Sequence, residues 1–112
     1  MTEGQIQDAI RLALGTEPGL VLWRNNVGLA EHWDGRGVQR VRYGLAPGSA
    51  DLVGLCDGRF VALEVKAGRG RTTPDQERWI ELVRRMGGFA AVVRSVEEAR
   101  AAVARCRAGG VS

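Results

Sequence analysis

Lysine is almost missing from this 112-residue chain: of its 16 basic residues only Lys66 is lysine, and the other 15 are arginine. Histidine is as scarce. His32 alone leaves no pair for a two-histidine mechanism and only one support for a Ser-His-Asp arrangement. The two cysteines, Cys56 and Cys106, lie far apart in sequence with no partners at metal-ligand spacing, which excludes a zinc site built on them alone. No apolar run approaches the ~20 residues that cross a bilayer as a helix. The opening Met1-Thr2-Glu3-Gly4-Gln5 has no basic segment leading into an apolar one, so no secretory signal is visible. These absences predict a cytoplasmic protein with no membrane partner. One domain over residues 1–112 is expected, large enough for a core but too short for a separate substrate domain, so any site must sit on that core.

What is present is ordinary in bulk, 45% hydrophobic and 26% charged, so function has to be sought in placement. A formal net charge of +3 suits an anionic partner without identifying one. Lys66 is more informative. In a chain that uses arginine wherever a generic cation suffices, the one retained lysine marks a place where a compact ammonium with a shiftable pKa is useful.

Residues 3–14 carry Ile6, Ala9, Ile10, Ala13 and Leu14 at helical spacing, with Gly15 ending the segment. Residues 21–25 read as a strand. The glycine-punctuated stretch Gly28 to Gly37, with Trp33 and Asp34, reads as a loop, and Val38 to Tyr43 as a short strand. Pro47-Gly48-Ser49-Ala50 breaks the chain before two strands, 51–55 and 59–66, joined at Asp57-Gly58. After a basic, glycine-rich loop, Thr73 caps a helix with Pro74 at its first position, running to about Met86. Phe89 to Val93 is a continuous apolar strand, Ser95 caps a final helix, and residues 108–112 are expected to fray. The expected fold is α/β: a central mixed sheet flanked by helices, in αβββαβ order plus a C-terminal helix.

A two-residue Asp57-Gly58 turn sets Cys56 opposite Arg59, Val53 opposite Ala62 and Asp51 opposite Glu64, whereas a three-residue turn breaks that register. Opposed like charges with Cβ atoms roughly 4.5–5.5 Å apart destabilise a sheet unless something positive lies between them. A divalent cation resolves the conflict, since Mg²⁺ is usually held by one or two carboxylates, water and substrate phosphate. Alternation places Lys66 on the same face as Glu64, with Leu63 and Val65 on the other. Gln76 fits two roles: partner of Thr73 in a capping box, or an inward-facing group sharing a helical face with Trp79, Ile80 and Val83.

Gly48-Ser49-Ala50-Asp51, then Glu64-Val65-Lys66, then Gln76 in the next helix resembles the PD-(D/E)XK nucleases, with their restriction-endonuclease-like core. More narrowly, it is similar to the virus-type replication-repair nuclease domains, VRR-NUC, over about residues 2–99. Ala50 departs from the proline many superfamily members carry before the acid. The resemblance implies that Asp51 and Glu64 bind Mg²⁺ or Mn²⁺ with the Val65 carbonyl as a further ligand. By the same resemblance Lys66 is the catalytic lysine, and Glu3 is the acid of the first helix. An ordinary N-terminal acid complementing the helix dipole accounts for Glu3 equally well. Arg69 and Arg71, beside glycines after the catalytic strand, and Arg40 and Arg42, alternating on their strand, are expected to contact phosphates.

The function implied is a divalent-metal-dependent, structure-selective endonuclease of phage or bacterial replication or repair. It would act on duplex or branched DNA, as a homodimer in small family members, with Trp33 and its segment as candidate interface. The alternative is a nucleic-acid-binding module of the same fold that turns over nothing; a pure binder has no need of the full Asp51, Glu64 and Lys66 set. No Gly-x-x-x-x-Gly-Lys motif supports a phosphate-loop enzyme.

Overall fold

A computed structural model describes residues 1–112. The elements run α1 (Glu3–Leu14), β1 (Leu20–Arg24), β2 (Gly28–Trp33), β3 (Val38–Tyr43), β4 (Leu52–Cys56), β5 (Arg59–Val65), α2 (Pro74–Arg85), β6 (Phe89–Val93) and α3 (Val96–Arg107). Four strands make a sheet in the order β1-β4-β5-β6. Its β1–β4 and β4–β5 pairs are antiparallel, and β5–β6 is parallel. A parallel pair needs a crossover, and α2 provides it. This is the expected α/β architecture, a mixed sheet flanked by helices and consistent with a restriction-endonuclease-like core. No helix is long and apolar enough to cross a membrane.

Strand alternation divides the core into two layers. On one face Leu52, Cys56, Val61, Leu63 and Val65 meet Ile6, Ile10 and Leu14 of α1 and Ala99, Ala102 and Val103 of α3. On the other, Val53, Ala62 and Ala90 meet Ile80 and Val83 of α2, with Trp79 packed edge-on against Phe60. Capping fixes where two of these helices begin: Thr2 with Gln5, and Thr73 with Gln76, each form both halves of a capping box. Helix α2 lies over β5 and β6 and reaches Val53 of β4, while Val21, Trp23 and Leu55 farther out on that face are exposed.

Two expectations need correction. The Gly28–Gly37 stretch is not a loop, because residues 28–33 form β2, which pairs with β3 in a separate two-stranded ribbon. Nearly every ribbon residue is exposed, so neither a buried face nor an apolar alternation marks it in the sequence. The tail does not fray. Ala90 N–H donates to the Val111 carbonyl, Arg105 to that of Ser112, and the Arg59 guanidinium to the carbonyls of Gly87, Gly88, Cys106 and Gly110. Residues 108–112 thereby cover the outer edge of β6.

Candidate active site

The β4–β5 hairpin has the short turn its sequence predicts. Asp57 and Gly58 both take positive φ, 51° and 82°, as a two-residue hairpin turn of this kind requires. Cys56 faces Arg59 and Val53 faces Ala62, and the ladder ends at Leu52 opposite Leu63. The next residues outward are Asp51 and Glu64. One carboxylate oxygen of Asp51 accepts the Val65 N–H at 2.8 Å, which ties the residue before β4 to the end of β5.

Glu64 is only 1% exposed. Its Oε1 accepts from Gln76 Nε2 at 3.4 Å and lies 3.9 Å from Lys66 Nζ, while its Oε2 is buried with no hydrogen-bond partner. Such an orphan is uncommon, because a buried polar atom without a partner forfeits its hydration. Burial pushes the Glu64 carboxyl up to about 9. The neighbouring Asp51 carboxylate pushes the same way, Lys66 partly opposes, and Glu3 adds a smaller repulsion. With both carboxylates ionised the site would hold more negative charge than its own cation neutralises, so without a metal it keeps a proton on Glu64.

Asp51, Glu64, Lys66 and Gln76 are brought together. Gln76 fills both roles read for it, since its Oε1 accepts the Thr73 N–H at 2.9 Å while its amide nitrogen reaches Glu64. Glu3 is exposed and does not join Asp51 and Glu64 in a group of three donors; only its charge is felt at Glu64. Arg69 and Arg71 are exposed on the loop after β5, and Arg40 and Arg42 are exposed on β3, outside the cluster.

Asn25 organises the site more than its sequence position suggests. Its side-chain amide donates to Ser49 Oγ and the Ala50 carbonyl, both at 2.8 Å, its Oδ1 accepts the Leu45 N–H, and its own N–H donates to the Asp51 carbonyl. Ser49 Oγ in turn donates to the Ala46 carbonyl. The segment that delivers Asp51 is therefore fastened from behind. It also lies against the start of α2: Gly48 has φ +79°, and a Cβ there would sit 2.4 Å from the Asp75 carbonyl oxygen. Arg94 is a residue the sequence did not flag, and its guanidinium holds the Gly68 carbonyl in the basic loop. Asn25→Ala is expected to destabilise the fold by about 2 kcal/mol, from several lost bonds around partly buried groups. Cleavage should fall more than stability alone explains, as shown by residual activity well below the melting temperature. Unchanged activity in the folded variant would rule out the positioning role.

The donor set suits a hard divalent cation: two carboxylates and nearby backbone, one carboxylate oxygen buried and unpartnered, and no soft ligand. No curated protein matches the chain. The family model described as the VRR-NUC domain matches residues 1–97, a stretch containing Asp51, Glu64, Lys66 and Gln76. This chain belongs to the VRR-NUC domain family of nucleases.

Proposed function

We propose that the protein is a divalent-metal-dependent endodeoxyribonuclease, selective for DNA structure and serving phage or bacterial replication or repair, with Asp51, Glu64 and Lys66 as its catalytic set. The observation that carries the reading is Glu64: a buried carboxylate with one unpartnered oxygen, set beside a second carboxylate and the chain's only lysine. Asp51 and Glu64, with the Val65 carbonyl, would hold Mg²⁺ or Mn²⁺, and the bound ion would supply Lewis-acid charge to the phosphoryl group.

The chain's own residues do the rest. Val65 N–H fixes one oxygen of Asp51, and Gln76 with Lys66 fixes Oε1 of Glu64, so both carboxylates are oriented before substrate arrives. The Lys66 side-chain nitrogen, 7% exposed and close to Glu64, is placed to orient the attacking water, to take its proton as the free amine, and as the resulting ammonium to offset charge building on the phosphate. Incubation of purified protein with labelled duplex, forked, branched and single-stranded DNA and RNA, in Mg²⁺, Mn²⁺ or chelator, tests this. Metal-dependent internal cutting of DNA is expected. Cutting that persists in chelator, or binding without cutting under any metal, would overturn it, the latter in favour of a pure binding module.

One chain presents one cluster, and cutting both strands of a duplex calls for two. A two-fold homodimer supplies them, and the bare strip of Val21, Trp23 and Leu55 is an apolar surface available for it. Trp23→Asp is expected to halve the mass seen by light scattering. A wild-type monomer that cuts both strands in one binding event would refute the dimer.

A further inference from the structure

The β2–β3 ribbon rises from the catalytic edge of the sheet. Arg24 at the end of β1, Leu52 at the start of β4 and Leu63 near the end of β5 are paired across one line. The ribbon joins the chain between β1 and β4 just beyond that line, where Asp51 and Lys66 also lie. Its root is held by the bond from Leu45 N–H to Asn25, the residue that also fastens the Asp51 segment. Beyond the root it packs against almost nothing, and the molecule measures 53 × 32 × 28 Å. An isolated two-stranded ribbon is marginal in water, so its retention calls for a partner.

Its tip is ordered. Asp34 accepts the Arg36 N–H at 2.9 Å and Gln39 Nε2 at 3.3 Å, and its own N–H donates to the Gly37 carbonyl. That braced turn presents Trp33 directly opposite Val38, with Trp33 69% exposed. Below it on the same face lie Arg40 and Arg42, opposite Glu31 and Leu29. Nucleic acid reaching the Asp51–Glu64 edge must pass beside this arm, and the arginines suit its phosphates. An indole stacks well on a base only where the duplex has not already stacked it.

We propose that the ribbon is a substrate-gripping arm. Arg40 and Arg42 hold the sugar-phosphate backbone, and Trp33 stacks on an unpaired nucleobase, which selects nucleic acid with a single-stranded or unpaired position. The proposal rests on the nuclease reading and deepens it. It also sets a distance: the five steps from Gly28 to Trp33 at ~3.3 Å each put Trp33 roughly 17 Å beyond the ribbon's root, on the order of five stacked nucleotides.

The test measures binding separately from cutting. Anisotropy of labelled duplex DNA, with and without a single-stranded extension, is followed on the Glu64→Gln protein in chelator, with Trp33→Ala, Trp33→Phe and the Arg40→Ala, Arg42→Ala pair added to it. Trp33→Ala should weaken binding of the extended DNA about tenfold and of plain duplex less than twofold, with Trp33→Phe restoring most of the loss. The arginine pair should weaken both DNAs and lower the salt slope by about 2. Because these side chains are exposed, the variants should keep the parent's melting temperature. Equal binding of both DNAs by Trp33→Ala and its parent would overturn the proposal, as would conversion of a dimer to a monomer by Trp33→Ala, which would assign the tip to a second copy. A parent protein that binds no nucleic acid would overturn the nuclease reading as well.

Discussion

Glu64→Gln should abolish cleavage and, in metal-free buffer near neutral pH, raise the melting temperature. The two effects have one cause. Glu64 is buried against another carboxylate, so the ionised form that would bind a cation is the form the fold disfavours. A glutamine keeps the shape, can still meet Gln76, and is neutral beside the Asp51 carboxylate without having to take up a proton on folding, as Glu64 must. Melting should rise by a few degrees, the shift that about 1 kcal/mol produces in a chain of this size. The rate should fall at least a thousandfold if the carboxylate is essential for holding the charge that stabilises phosphoryl transfer.

Asp51→Asn should lose cleavage similarly while keeping an oxygen for the Val65 N–H. Lys66→Ala should also lose it without the gain in melting temperature, because Glu64 then has no cation beside it. Lys66→Arg separates charge from chemistry: it retains a cation but not a titratable ammonium, so near-wild-type cutting would make Lys66 purely electrostatic. Robust cutting by folded Glu64→Gln would remove Glu64 from the site altogether. Activity loss without any stabilisation would leave the catalytic role but contradict the electrostatic account.

How much of this could be read from the chain follows from how local each signal is. Asp57-Gly58 sets the hairpin register within a few residues, so Asp51 and Glu64 can be paired by counting. Thr73, Pro74 and Gln76 announce the start of α2 in four positions, which places Gln76 on its inward turn. The sequence shows β3 but not its partner β2, because the ribbon buries neither face and periodicity records burial rather than pairing. The sequence leaves Asn25 between facing the cleft and merely ending a strand, because it works through the backbone of residues 45, 50 and 51, and backbone donors and acceptors leave no trace in side-chain identity. The Arg59 clamp on the tail escaped for the same reason. Cys56 and Cys106, remote in sequence, meet in the core, where burial and the neighbouring thiol raise the Cys56 pKa.

Metal-free protein should become less stable as pH rises from about 5 to 9, and Mg²⁺ should cancel much of that loss. In the unfolded chain Glu64 releases its proton near the ordinary carboxylate value, whereas in the native state it holds the proton to about 9. Between those limits the native state carries more protons than the unfolded one. The stabilisation is complete below the unfolded value and disappears as pH climbs through the folded one, with a slope of at most about 1.4 kcal/mol per pH unit from this group. A cation bound by ionised Asp51 and Glu64 displaces that proton, so its apparent affinity must rise over the same interval. The Mg²⁺-induced increase in melting temperature should therefore be small at pH 6 and larger at pH 8.5, and Mn²⁺ should behave alike. Glu64→Gln should remove both the pH slope and the metal effect. Thermal scans of the two proteins at several pH values, with millimolar metal or chelator, read all of this at once. A metal-free melting temperature that is flat from pH 5 to 9, or a metal shift equal at pH 6 and 8.5, would show that Glu64 does not trade its proton for the ion.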